Sequence, residues 1–184
     1  MYLQPFLEGE RVLLRPLESA DEEALHAIAR DPAVWEQHPI HDRWREEVFH
    51  TFFVRAMASG GGLAIIHRNS GAMIGMTRFV NYDPEDRATI EIADTFIEPR
   101  WWGRGINPQV KRLMLTHAFE RVGRVEFRVG ETNYRARIAL EKIGASRTGA
   151  SDLDRYHGKR VLDLFYAISA DEFATGPLSP AEDC

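Results

Sequence analysis

The run Arg100-Trp101-Trp102-Gly103-Arg104-Gly105 constrains this chain more than any other segment. It follows an apolar stretch, Ile90 to Ile97, and precedes an amphipathic one, Pro108 to Glu120. A strand, a glycine turn and a helix start, in that order, build an anion site. Glycines let the backbone come close to a ligand, and the first N–H groups of a helix lack intrahelical partners and point at it. The ligand expected here carries phosphate. From these six residues alone, a helix start with two glycines and no ligand reads equally well.

The two commonest nucleotide signatures do not fit. No Gly-x-x-x-x-Gly-Lys-Ser/Thr run exists, and a dinucleotide turn needs a third glycine where Pro108 stands. A net charge of −5 gives no electrostatic support for a nucleic-acid or anionic-membrane partner. The one cysteine, Cys184, permits no intramolecular disulfide and suits a reducing compartment. No apolar run approaches the length of a membrane span, and the N-terminus lacks a basic start with an apolar core, so a cytoplasmic location is expected.

Periodicity supplies the elements. Val12 and Leu14 alternate in a first strand within Glu10 to Leu17. Ser19, with Glu22 three residues on, reads as a capping box opening a helix that Asp31-Pro32 ends. A second helix is expected over Trp44 to Ser59, with Phe49, Phe52, Phe53 and Ala56 on one face and Trp44 read as core. Leu63 to His67 and Met73 to Val80 read as a hairpin, with a further turn at Asp83 to Asp86 and a long strand from Thr89 to Ile97. Next comes a helix from Pro108, with Asn107 as its N-cap and Val110, Leu113, Met114, Ala118 and Phe119 inward. A strand at Val125 to Val129, a helix at Asn133 to Ile143 and strands near Ala145 to Ala150 and Val161 to Ile168 complete the order. Such an order predicts an α/β fold: a mixed central sheet with helices on both faces, as one domain over residues 1–173. Residues 174–184 read as a disordered tail.

Several segments together resemble the GNAT superfamily of N-acetyltransferases, over about Leu7 to Phe173. They are Leu7 to Val12, Glu91-Ile92, Trp102 to Asn107, His117 to Glu120, Arg124 to Arg128 and Asn133 through Ala145. Within it the chain looks most like the RimJ/RimL branch, which acetylates ribosomal-protein N-termini. The resemblance implies a mostly antiparallel sheet whose fourth and fifth strands splay apart, with acetyl-CoA in the gap. It implies that Trp102, Gly103, Arg104, Gly105, Ile106 and Asn107 hold the pyrophosphate. The backbone of Phe96 and Ile97 would pair with the pantetheine arm as an added strand. Asn133 corresponds to the family asparagine that bonds this arm, and is also a natural N-cap. Arg137, one turn on, either reaches a phosphate or stays solvated.

Transfer to an amine needs the free base as attacker, so a base helps at neutral pH. Glu91 and Asp94 are the candidates, because both interrupt an apolar strand and burying a charge is costly unless it is paired or functional. Three positions apart, strict alternation sets them on opposite faces. The family strand carries a β-bulge, which would change that parity. Glu91 aligns with a frequent family glutamate. Asp94 suits recognition of a cationic amine, and a structural ion pair with Arg78 or Arg87 is the alternative for either carboxylate. Leu140 and Ala136 replace the tyrosine and serine that serve as acids in relatives, so either the thiolate, of intrinsic pKa about 8.5, leaves without a side-chain acid, or the chain is slow or has changed its reaction.

Trp35, His38, Asn81 and Tyr82 are the expected substrate wall, with His41, Trp44, Tyr156 and His157 near it. His38 and His41 have no third partner at metal spacing, so no metal is expected. The activity implied is direct acetyl transfer from acetyl-CoA to a small-molecule amine or a peptide N-terminus, through a tetrahedral intermediate and without a covalent acyl-enzyme. A non-catalytic coenzyme A-binding regulator and an acyltransferase for a longer acyl chain are the alternatives. Members of this branch are often homodimers.

Overall fold

Strand β5 (Thr89–Ile97) lies near the middle of an eight-stranded sheet of order β1-β2-β3-β4-β5-β6-β8-β7 in a computed structural model that describes residues 1–85 and 88–179. Its companions are β1 (Leu7–Glu8), β2 (Val12–Pro16), β3 (Gly62–His67), β4 (Met73–Asp83), β6 (Arg124–Gly130), β7 (Ser146–Tyr156) and β8 (Lys159–Ser169). Every neighbouring pair is antiparallel except β5 with β6. A parallel pair needs a crossover, supplied here by helix α3 (Ile106–Phe119). The other helices are α1 (Glu22–Ala29), α2 (Glu46–Ala58), α4 (Tyr134–Lys142) and α5 (Ala170–Thr175).

Alternation along the strands divides the core. Leu63 and Ile65 of β3 join Ile106, Val110 and Met114 of α3 in one apolar cluster. Ala64 between them joins Leu25, Phe49, Phe52 and Phe53 of α1 and α2 in the other. The sheet is therefore covered by helices on both faces, as expected. On β5, Ile90 and Ile92 belong to the α3 side, yet Phe96 belongs to the α1–α2 side. Residues 90, 92 and 96 would share a face in a regular strand. A bulge explains the switch: Arg78 pairs with Ala93 and Met76 with Phe96, so Thr77 faces two residues, Asp94 and Thr95. Asp94 has φ +50°, the left-handed conformation this insertion requires.

The gap opens beside it. β5 and β6 pair only at Thr89–Arg124, Ile90–Val125 and Glu91–Glu126. Beyond that point β5 stays with β4, whereas β6 follows β8 as far as Gly130–Asp163. Counted from Val12, these are the fourth and fifth strands, and they splay.

Some local expectations are corrected. The first helix begins with a 3₁₀ turn at Ser19–Asp21, and the reciprocal cap is one residue earlier than read, with Glu18 N–H donating to Asp21 Oδ2 (2.9 Å). Arg15 holds Asp21 there at 2.7 Å, a tertiary contact that the cap pattern does not report. Trp44 precedes α2 and is 43% exposed, so it is not core. In α3, Leu115 is buried whereas Leu113 is only half-buried. The last two strands form a hairpin longer than expected, because its outer half is too polar to register as strand. Past residue 173, α5 continues to Thr175 and Leu178 packs on the core, so residues 174–179 join the domain rather than a loose tail. Asp86, Arg87 and the segment 180–184, with Cys184, lie outside the described residues. No helix among the described residues is long and apolar enough to cross a membrane.

Candidate active site

The splay opens into a cleft of about 1260 Å³. One wall is β5 from Glu91 to Ile97, and the other is Phe127 to Gly130 of β6 with Asn133, Ala136 and Leu140 around α4. The turn from Trp101 to Pro108 and the α1–α2 connection also line it.

At the turn, Gly103 (φ +70°) and Gly105 (φ +76°) take the left-handed conformation that glycine alone adopts without strain. Gly105, rather than Asn107, is the N-cap, so Ile106 and Asn107 are the first two helical residues and Pro108 the third. Sequence pattern alone predicts Pro108 at the first helical position. It is tolerated further in because the first four N–H positions have no intrahelical acceptor. Trp102 is fixed by its Nε1–H to the Ile97 carbonyl (2.8 Å), and the Arg135 guanidinium lies 4.0 Å over its ring. The Arg104 carbonyl accepts from Arg11, tying the turn back to the β2 end. Two buried polar atoms here, Trp101 Nε1 and Asn107 Oδ1, have no partner among the described residues. A buried polar group without a partner is costly, so the turn fits a ligand that supplies both acceptors and donors.

Across the cleft, Asn133 caps α4 by accepting from the Ala136 N–H (3.2 Å). Arg137 does not face the cleft. It donates to the Glu131 carbonyl (2.9 Å) and reaches Tyr166 Oη (3.4 Å), so its expected cofactor role is corrected. Leu140 and Ala136 do line the cleft, which leaves this side of it without a hydroxyl at either family position.

The bulge brings Glu91 and Asp94 to one face, as a changed parity requires. Their surroundings differ. Glu91 is 9% exposed and accepts one hydrogen bond, from Asn81 Nδ2 (2.7 Å). Burial pushes its carboxyl above the ordinary glutamate range, against the pull of Asn81. Asp94 accepts from Arg78 Nε (2.6 Å) and from Arg43 Nη1 (3.4 Å). Burial alone would raise its pKa, but Arg43 and Arg78 together hold it below the ordinary aspartate range. Such a carboxylate is a poor proton acceptor and its charge is already taken up by cations. The ion-pair alternative with Arg78 describes Asp94, with Arg43 added, and its role as base is corrected. The pair considered with Arg87 lies outside the described residues.

Of the expected substrate wall, Trp35, His38 and Asn81 line the cleft. Trp35 is buried, with Nε1–H to the Ala29 carbonyl (2.9 Å). His38 Nδ1 accepts from the Ile40 N–H (2.9 Å); burial first, then the Arg43 charge, pulls its pKa down to about 3, so the ring stays neutral. Tyr82 packs on the α3-side core instead of the cleft, as the strand neighbour of the cleft-facing Asn81. At the tip of the β7–β8 hairpin, Tyr156 Oη donates to Asp42 (2.6 Å) and His157 lies 3.3 Å from the same carboxylate. The hairpin tip is thus latched to the α1–α2 connection.

Sequence reasoning missed Lys111, Arg43 and Arg55. Lys111 is 5% exposed and rises from α3 into the fork, where Nζ donates to Thr95 Oγ1 (2.6 Å) beside the Phe127 ring. Burial pulls its pKa down to about 7. Its signal was available: Lys111 stands one turn before Leu115 and two before Ala118, on a buried stripe.

Similarity to known proteins agrees with this geometry. A candidate acetyltransferase of T. thermophilus superposes with a TM-score of 0.79 at 29% identity, over 95% of this chain and 95% of that one. A GNAT-family acetyltransferase of Bacillus anthracis gives 0.75 at 23% identity, over 91% and 99%. Mycobacterium smegmatis RimJ, in complex with CoA-disulfide, gives 0.72 at 20% identity, over 91% and 86%, which is likeness of fold. The profile of the acetyltransferase (GNAT) domain matches residues 11–146. With that match, the splayed β5–β6 pair and the glycine turn at the start of α3, the chain belongs to the GNAT acetyltransferase family.

Proposed function

We propose that this protein is an acetyl-CoA-dependent N-acetyltransferase of the RimJ/RimL-like branch, acting on a primary amine, with Glu91 as the general base. One observation carries the reading: of the two carboxylates that β5 turns into the cleft, Glu91 is buried without an ion pair among the described residues and has its pKa raised, while Asp94 beside it is fully paired. A raised glutamate pKa narrows the gap to an acceptor ammonium, which titrates near 8 for an α-amine, so a proton moves to Glu91 Oε less steeply uphill. Asn81 fixes the carboxylate from one side and leaves its other oxygen free to face the acceptor.

The residues around the turn fit coenzyme A. The N–H groups of Gly103 to Asn107, with Trp101 Nε1–H, would hold its diphosphate end, Asn107 Oδ1 would accept from a donor elsewhere on the cofactor, and Arg135 adds charge nearby. Phe96, Ile97 and Asn133 would hold the arm along the open edge of β5. When bound, acetyl-CoA supplies the activated acyl group. The apolar cleft side of α4, at Ala136 and Leu140, favours a second reading, a coenzyme A-binding regulator without turnover.

Release of free thiol from acetyl-CoA, over a panel of amines and short peptides, separates the two. Turnover that falls at least a hundredfold in Glu91→Gln supports the base. Turnover unchanged in Glu91→Gln removes it, and acetyl-CoA binding with no turnover on any acceptor favours the regulator.

A further inference from the structure

The chain carries a net −5, but the cleft reverses the sign: eight Lys or Arg side chains line it against four Asp or Glu. Some of this charge belongs to the phosphate end, such as Arg135. Another part does not. Arg43 from the α1–α2 connection and Arg78 from β4 both hold Asp94, and Arg55 from α2 lines the cleft within electrostatic reach of Arg43, so three guanidiniums gather where two of them already share one carboxylate. Arg43 is buried and stacked 4.3 Å over the Phe52 ring, which holds its charge in place. Arg55 lies close enough for its charge to act on Arg43, faces the same cleft, and its side chain has no hydrogen-bond or ion-pair partner among the described residues.

Strand register separates this cluster from the phosphate turn. Arg78 pairs with Ala93, whereas Ile97, from which the turn departs, pairs with Gly75. Three residues of β4 span about 10 Å, and the cluster lies on the Glu91 side of the bulge. A coenzyme A diphosphate on the turn therefore leaves these cations unanswered. Gathering like charges is unfavourable unless an anion completes the group. The planar, forked donors of arginine match a carboxylate.

We propose that Arg43, Arg55 and Arg78 form a carboxylate-binding subsite beside Glu91, so that one reacting partner is itself a carboxylate: an amino-acid-like acceptor, or a dicarboxylic acyl group on coenzyme A. The subsite rests on the acyl-transfer reading given above. It reverses the sequence-level expectation that Asp94 recognises a cationic amine, because Asp94 is outnumbered by the cations around it.

Matched pairs that differ only in charge test it. The acceptor arm measures, by calorimetry on the coenzyme A-loaded protein, the affinity for N-acetyl amino acids against their carboxamides. The acyl arm compares succinyl-CoA with butyryl-CoA. Wild type is set against Arg55→Gln and Arg55→Lys, substitutions at an exposed position, with Tm as the check on folding. A preference for the carboxylate of tenfold or more in one arm, collapsing towards unity in Arg55→Gln and kept in Arg55→Lys, supports the subsite, and the arm names the source. Equal affinities within both arms overturn it, as does a preference that survives Arg55→Gln. Binding preference without any acyl transfer would leave the subsite standing and remove the catalytic reading; transfer without preference would do the reverse.

Discussion

Glu91 and Asp94 sit three residues apart on one strand and, through the bulge, face one cleft, yet their charges are handled in opposite ways. Asp94 has two guanidiniums against it, and Glu91 has one neutral carboxamide. Their linkage to pH therefore has opposite sign. Asp94 titrates lower in the folded chain than in the unfolded one, so its contribution is present above the unfolded value and is lost as pH falls through the depressed folded value. Glu91 titrates higher when folded, so the folded state binds more protons, and its charge works against stability as pH rises through the raised folded value. One carboxylate serves the fold, and the other, on the reading proposed above, is kept available at a cost to it.

The strongest way to break this contrast is Glu91→Gln. The amide keeps the shape and the Asn81 contact, so kcat is expected to fall by roughly 10²–10⁴ while Tm stays level or rises slightly. The wild-type kcat/KM profile should rise with pH, with an inflection above the ordinary glutamate value, and Glu91→Gln should flatten it. A variant that keeps most of its activity and the same inflection would remove Glu91 as base. Asp94→Ala should fail differently. Removing the anion strands Arg43 and Arg78, and breaking such a buried pair costs about 3–5 kcal/mol, readable as a lower denaturant midpoint. If Asp94→Ala lost activity with no loss of stability, the division of labour between the two carboxylates would be wrong.

Much of the frame was legible because it rests on periodicity and turn chemistry. The limits of β5, the glycine turn and the stop of α4 at Gly144 all come from local rules. The contrast between the carboxylates was not legible, because it depends on partners far away in sequence. Arg43 reaches Asp94 across 51 residues, and nothing near Asp94 announces it. The bulge sits between, since a strand sequence gives its pattern but not where an extra residue is inserted. Tyr82 and Arg137 failed for a related reason: their chemistry suited a site, but one points to the core and the other is tied to Glu131 and Tyr166. The Pro108 position failed locally, because a left-handed glycine two residues before Asn107 is as good a helix start as the asparagine.

Lys111 sharpens the comparison as a third buried charge, one with no counterion among the described residues. Its support is a neutral hydroxyl, that of Thr95, which in turn contacts Thr77 (2.7 Å). Its folded pKa, near 7, lies below the unfolded value, so the unfolded chain binds more protons and stability rises with pH between the two. Lys111→Met, of similar length, should therefore stabilise the protein by on the order of 1–4 kcal/mol at pH 6. The gain should shrink towards pH 10, as the lysine loses its charge in the folded state. A gain that did not depend on pH would mean that packing, not charge, sets the cost.

Gly105→Ala tests whether the cofactor end can be weakened without disturbing the carboxylates. At φ +76° an alanine is strained by about 1–2 kcal/mol, and its Cβ would meet only the end of Arg11 at 3.7 Å, so conformation dominates over collision. The turn can relieve that strain by rotating its N–H groups, which is the geometry an anion needs. Affinity for coenzyme A should therefore fall by more than the loss in stability implies, with the pH inflection of Glu91 left in place. If the inflection moved with the affinity, the turn and the Glu91 carboxylate would form one coupled unit, and the contrast between Glu91 and Asp94 would have to be redrawn around the bound ligand.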